Sequence, residues 1–221
     1  MLIKIKQKVV EFGEKIVKEG LVVATWGNLS AREEGEDIFV ITPSGMNYIS
    51  LEPEDIVAVD LNGNPLHPGR KPSVETPMHA AIYRARPDVK AIIHTHSINA
   101  SACAAARMEI PCIMEDMASV VGGPVKVADY APTGTRQLAE NVVRALEDRN
   151  AVLLANHGVV TVGRCLEEAF KLSLMVEKTA EVFIKSMIIG RPFSLSLDEI
   201  NFLRGFYRTC YGQDSEQAAR H

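Results

Sequence analysis

The stretch DVKAIIHTHS, residues 88–97, decides the fold. Val89, Ile92 and Ile93 are β-branched, and polar residues gather only at its exit, so it reads as a buried strand. On its N-terminal side ETPMHAAIYRAR, residues 75–86, has the apolar spacing of a helix of about three turns. On its C-terminal side SINASACAAAR, residues 97–107, reads as a small-residue helix able to pack closely on a sheet. Further out, DIFVIT (37–42) and IVAVDL (56–61) are strands. Residues 52–55 form a short helical turn, and Asn62-Gly63 is a turn signal. The run LVVATW and the strand DIFVIT flank a glycine-containing turn. Towards the C-terminus, a helix runs from about Gly134 to Asp148 and NAVLLANHG is a continuous buried strand. Helices over roughly 165–188 and 198–209 finish the chain. Alternating helices and strands give an α/β fold, read as one domain over residues 1–221. The short links in the first 65 residues suggest antiparallel pairing there.

The opening MLIKIKQKVVEFGEKIVKEG has no continuous apolar core and no small-residue cleavage site, so it is not a secretory signal. Leu2, Ile5, Val9, Phe12, Ile16 and Val17 recur at helical spacing, and Gly20 stops the helix. With 24 basic and 28 acidic residues among 221, the formal charge is −4 and no basic block exists. General nucleic-acid binding and a polybasic membrane patch are therefore disfavoured. No apolar run is long enough to cross a bilayer. Cys103, Cys112, Cys165 and Cys210 form no CxxC pair, which disfavours a zinc ribbon or redox dithiol. Free thiols without a signal peptide point to the cytoplasm.

His94 and His96 are two residues apart on the strand, so both imidazoles face one side and can reach one ion. His157, at the end of LLANHG, brings a third imidazole from a neighbouring strand end. Glu75 opens a helix, where a carboxylate is favoured. Three histidines and one glutamate suit a borderline divalent ion such as Zn²⁺ in a tetrahedral shell. Taken singly, HxH is more often polar decoration at a strand exit, and Asn-His-Gly can be a simple turn. His79, one turn from Glu75, is either a fourth imidazole or a surface or supporting residue; the latter is preferred. His67 and His221 are not candidates.

Three loops carry small polar residues and glycines: Thr25-Trp26-Gly27-Asn28, Thr42-Pro43-Ser44-Gly45 and Pro72-Ser73-Val74-Glu75. Backbone N–H groups and hydroxyls of this kind cradle phosphate without cations, although each loop alone is an ordinary turn. No Walker pattern or GxGxxG is present. Ser73, two residues from Glu75, would set an anion site beside the ion.

ATWGNLSAR, FVITPSGM, KPSVETPMHAAIY, AIIHTHS, YAPTGTRQLAE and LLANHGVV occur in this order, and together the chain resembles the class II aldolase and adducin family from about residue 5 to 212. The resemblance implies a three-layer α/β/α domain with a mainly antiparallel central sheet. It implies a homotetramer of fourfold symmetry with sites between subunits. It also implies zinc, or Mn²⁺ or Co²⁺, on His94, His96 and His157, with Glu75 as resting ligand and catalytic base. Thr25, Gly27, Asn28, Ser44, Gly45 and Ser73 correspond to phosphate-binding positions. The implied reaction cleaves a small ketose 1-phosphate to dihydroxyacetone phosphate and an aldehyde through an enediolate. Family relatives also include phosphosugar 4-epimerases, a dehydratase, decarboxylases and the non-catalytic adducin head.

The chain departs from the fuculose-phosphate pattern at three places and matches it at a fourth. Where a tyrosine donates a proton from the adjacent subunit, IPCIMEDM places Glu115, and a carboxylate of ordinary pKa is a poor donor at neutral pH. Either Glu115 is raised in pKa, or another group donates, or the second substrate differs; alternatively Glu115 and Asp116 simply start a helix. Val74 replaces a common second phosphate-binding serine, and Trp26 stands at a usually small position. Tyr211 matches a tail tyrosine that closes the fuculose-phosphate site.

Overall fold

The computed structural model describes residues 2–33 and 35–210. The chain opens with helix α1 (Leu2–Lys18), followed by strands β1 (Asn28–Ala31), β2 (Ile38–Ile41) and β3 (Val57–Asp60). Helix α2 (Thr76–Ala85) leads to β4 (Ala91–Thr95), then to α3 (Ile98–Ala105), α4 (Glu115–Val120), the two-residue β5 (Val127–Ala128) and α5 (Arg136–Leu146). The hairpin β6 (Ala151–Leu154) and β7 (Gly158–Gly163) precedes the long α6 (Leu166–Ile189) and α7 (Leu197–Cys210).

The seven strands form one sheet in the order β3-β2-β1-β4-β7-β6-β5. Every pairing is antiparallel except β5 with β6. Side chains alternate between two covered faces, which is why the strands read as continuous apolar runs. Phe39, Ile41, Ile92, Val152 and Leu154 pack beneath α2 and α5, with Met78, Ile82, Leu138 and Val142. Val40, Ala91 and Ile93 face the other way, against Ile5, Val9, Phe12 and Ile16 of α1 and Ala169 of α6. Ala151, Leu153 and Val159 meet α3, α4 and α6 on that same side. The expected three-layer α/β/α arrangement with a mainly antiparallel sheet is what the chain adopts.

Strand β1 begins only at Asn28, after Ala24 and Gly27 take positive φ values of 54° and 85°. One reading from sequence needs correction: GVVTVG is itself a strand, β7, and it rather than β6 lies beside β4. His157 therefore sits in the turn at residues 155–157, where Asn156 has φ 56°, and not at a strand end. Elsewhere the shifts are small. The helix expected from Gly134 starts at Arg136, because the Thr135 hydroxyl accepts the Leu138 N–H at 3.2 Å and caps it.

Candidate active site

The site forms where the exit of β4 meets the tip of the β6–β7 hairpin and the N-terminus of α2. His94 is the last-but-one residue of β4 and is completely buried. Its Nδ1 lies 3.0 Å from the Val159 carbonyl, an obligate acceptor, so Nδ1 carries the hydrogen and Nε2 presents a lone pair. That Nε2 lies 3.0 Å from His96 Nε2 and 3.0 Å from Glu75 Oε2. His157 Nε2 approaches Glu75 Oε1 at 3.7 Å. The three rings stand edge to face with every pair of centroids 4.8 Å apart, and their ligating atoms all lie within 4.8 Å of one another.

Two glycines permit this crowding. A Cβ on Gly158 would fall 2.3 Å from the Thr95 carbonyl oxygen and 3.0 Å from His96 Cδ2. A Cβ on Gly27 would fall 2.7 Å from the His94 carbonyl oxygen. Only residues without a side chain let both neighbours of β4 close on its end.

Glu75 caps α2 from outside the helix, its N–H donating to Ser73 Oγ at 3.2 Å. Its carboxylate does not cap the helix but turns inward, 4% exposed, where Asn28 Nδ2 donates to Oε2 at 2.8 Å. Oε1 is buried without a hydrogen-bond partner among the described residues. Burial by itself would raise the Glu75 carboxyl, but His94, then His157 and the Asn28 amide, outweigh it and hold it well below the usual carboxylate range. Burial pushes His96 down to about 3, helped by His94 and His157, and His157 down to about 4. Burial would lower His94 too, but the adjoining Glu75 raises it. Lone pairs and a carboxylate converge at 3.0 Å, and one carboxylate oxygen has no donor. This arrangement could hold a cation, and three imidazoles with one carboxylate suit a borderline divalent ion.

The structure brings most of the expected loop residues to this end of the sheet. Pro43 and Pro72 form a bridge, Ser44 N–H donates to the Lys71 carbonyl at 2.9 Å, and Ser73 N–H donates to the Thr42 carbonyl at 3.1 Å. The Ser44–Gly45 and Ser73 loops are thus tied together beside Glu75, with Ser44 and Gly45 exposed. Thr25 is exposed next to Gly27, and the Trp26 ring lies 5.9 Å from that of His96. Val74 is 61% exposed and contributes no hydroxyl. Asn28 differs from the rest of the group, since its side-chain amide is engaged with Glu75 and His79 inside the protein. Glu115 is the exposed first residue of α4 and does not join the histidine cluster within one chain. Tyr211 lies outside the described residues.

His79 is fully buried rather than at the surface, and its Nε2 meets Asn28 Oδ1 rather than the imidazole cluster. Sequence reasoning did not single out Ser30, Tyr83 or Gly158. The first two were signalled by spacing: Asn28 and Ser30 share one face of a strand, and Glu75, His79 and Tyr83 recur every four residues along α2.

Residues 7–184 match the family model described as Class II Aldolase and Adducin N-terminal domain. A 5-deoxy-D-ribulose 1-phosphate aldolase of Bacillus thuringiensis serovar kurstaki is 35% identical, the match covering 96% of this chain and 99% of that one. An L-fuculose phosphate aldolase of Escherichia coli K12 is 34% identical over 89% of this chain and 90% of its own length. A solved L-fuculose 1-phosphate aldolase superimposes with a TM-score of 0.90 at 36% identity, covering 93% of this chain and 96% of that chain.

Proposed function

This chain belongs to the class II aldolase and adducin family, and from that premise we propose that it is a divalent-metal aldolase cleaving a small ketose 1-phosphate to dihydroxyacetone phosphate and an aldehyde. His94, His96 and His157 would hold the ion, with Glu75 as the fourth donor in the resting state; zinc fits this donor set best, and Mn²⁺ or Co²⁺ also suit it. When bound, such an ion supplies Lewis acidity to a substrate carbonyl and acidifies the adjacent C–H. Glu75 then serves as the base. Its Oε1, buried and unpartnered at the rim of the cluster, is the observation that carries this reading. Oε2 stays tied to Asn28 while Oε1 is free to take a proton from the carbon beside the carbonyl. Burial excludes water, so the proton stays in the site for the reverse step.

The paired loops at Ser44–Gly45 and Ser73, with Thr25 and Gly27, would cradle the phosphate through hydroxyls and backbone N–H groups. The substrate is then a phosphorylated ketose of the fuculose or 5-deoxyribulose kind. Glu115 would reach the aldehyde oxygen only from a neighbouring subunit, and Tyr211 would close over it, which fits a homotetramer with sites between subunits. Exposed apolar side chains on α7, Leu197, Phe202 and Phe206, suit such contacts. No described helix is long and apolar enough to cross a membrane.

The test is Glu75→Gln. In the wild type, the C–H of dihydroxyacetone phosphate exchanges with deuterated solvent. In E75Q exchange should stop while dihydroxyacetone phosphate still binds; continued exchange would contradict the assignment. Coupled detection of dihydroxyacetone phosphate from fuculose, ribulose and 5-deoxyribulose 1-phosphates separates cleavage from epimerisation.

A further inference from the structure

Behind Glu75 runs a line of buried side chains that the proton-abstraction scheme leaves unused. Asn28 and Ser30 project from β1 towards α2, and His79 and Tyr83 project from α2 to meet them. Asn28 Nδ2 is 2.8 Å from Glu75 Oε2, and Asn28 Oδ1 is 2.6 Å from His79 Nε2. His79 Nδ1 is 2.6 Å from Ser30 Oγ, which is 2.8 Å from the Tyr83 hydroxyl. All five residues are buried, His79 and Ser30 completely.

Donor and acceptor chemistry gives the line one direction. An ionised carboxylate only accepts, so Asn28 must turn its NH₂ to Glu75 and its carbonyl to His79. A carbonyl only accepts, so His79 Nε2 must carry a hydrogen. A neutral imidazole then offers Nδ1 as an acceptor, the Ser30 hydroxyl donates to it, and the Tyr83 hydroxyl donates to Ser30. Every hydrogen points towards Glu75. Were the Asn28 amide reversed, two acceptors would face each other at 2.8 Å and the carboxylate would swing away.

We propose that His79 is a positioning residue for the reaction: by donating from Nε2 it locks the Asn28 amide with its NH₂ on Glu75 Oε2, and so keeps Oε1 aimed into the imidazole cluster. Ser30 and Tyr83 act one step further back, fixing the His79 tautomer. The inference rests on the reading of Glu75 as the base.

The experiment uses the metal-loaded protein and dihydroxyacetone phosphate in deuterated solvent. His79→Leu removes the donor, whereas His79→Gln keeps an N–H at a similar reach. Exchange at saturating dihydroxyacetone phosphate should fall about tenfold or more in H79L with KM within about threefold of wild type, and H79Q should recover most of the loss. Nitrogen NMR of the wild-type protein, which is independent of turnover and of whether any variant folds, should show His79 as the neutral Nε2–H tautomer. An Nδ1–H tautomer would overturn the proposal, as would exchange in H79L at the wild-type rate or a loss that H79Q does not restore. E75Q in the same assay separates the two ideas. Exchange persisting in E75Q removes the base assignment itself; an inert E75Q beside a fully active H79L removes only the role of His79.

Discussion

Gly158→Ala should disable the site through one methyl group. The added Cβ would sit 2.3 Å from the Thr95 carbonyl oxygen, with His96 Cδ2 at 3.0 Å and His94 Cε1 at 3.2 Å. The first contact is about 1 Å inside normal van der Waals separation. Thr95 cannot retreat, because β4 is held between β1 and β7 at the centre of the sheet. The hairpin tip must move instead, and His157 moves with it. Overpacking of this kind costs about 1–3 kcal/mol. In a chain of this size each kcal/mol lowers the melting temperature by roughly 2–4 °C. A displacement near 1 Å in a catalytic group costs on the order of 10²-fold in rate. Calorimetric titration with Zn²⁺ should therefore show a clear loss of affinity, and a thermal melt of the metal-free protein a lower midpoint. Gly205→Ala is the control: nothing lies within 4 Å of its added Cβ, and alanine in the middle of α7 should leave stability level or raise it by about 1 kcal/mol. G158A with wild-type zinc affinity and melting temperature would refute the steric reasoning.

Chelation of the divalent ion should abolish ketose-phosphate cleavage, and adding back Zn²⁺, Mn²⁺ or Co²⁺ separately should restore it to different extents; cleavage that survives complete metal removal would argue against the reading. Metal-free protein should lose stability on acidification, measured as the urea midpoint between pH 7.5 and 4. Burial lowers the folded-state pKa of His79 and His96 to about 3 and of His157 to about 4, below the unfolded value near 6.5. Their contribution is complete above that value and is lost as pH falls towards about 4 and below, because the unfolded chain binds protons first. His94 is raised instead, so its contribution has the opposite sign and fades as pH rises through its folded value; a flat midpoint across the range would contradict the net loss. Thr135→Ala removes the hydroxyl that caps α5 and should cost about 1 kcal/mol, read as a lower urea midpoint with cleavage unchanged. Glu115→Gln should leave metal binding and dihydroxyacetone phosphate exchange intact while slowing cleavage; an unchanged cleavage rate returns Glu115 to a structural role at the start of α4.

The parts of the fold that local chemistry dictates were legible. The β-branched run at Ile92–Ile93, the apolar spacing of α1 and the small residues of α3 each carry their own signal. Strand β7 was not, because a short apolar run after Asn-His-Gly has no periodicity of its own and its identity comes from pairing with β4 and β6. That error displaced His157 from a turn to a strand end without changing its destination. The clustered histidines could be read because HxH at a strand exit sets two imidazoles on one side. The supporting chain of Ser30 and Tyr83 could not, because each is an unremarkable residue until β1 is placed against α2. Asn28 looked like one of several small polar loop residues, yet its register opposite His94 turns its side chain inward.

A site of this composition is expensive for a fold to keep. Glu75 is buried with one oxygen unpartnered, and an unmet acceptor of that kind costs on the order of 1–3 kcal/mol or more for a charged group. Three imidazoles are packed with their ligating atoms within 4.8 Å, and two glycines spend backbone freedom to allow it. A domain that used this fold only to bind partners through its outer surface would gain from an apolar residue at position 75. Asn28, Ser30, His79 and Tyr83 do the reverse, since they are internal polar residues whose hydrogen bonds all lead to that one carboxylate. Local rules broken together around a single group mark the place where chemistry rather than stability selects the residues. That pattern favours an aldolase over an adducin-like binding module.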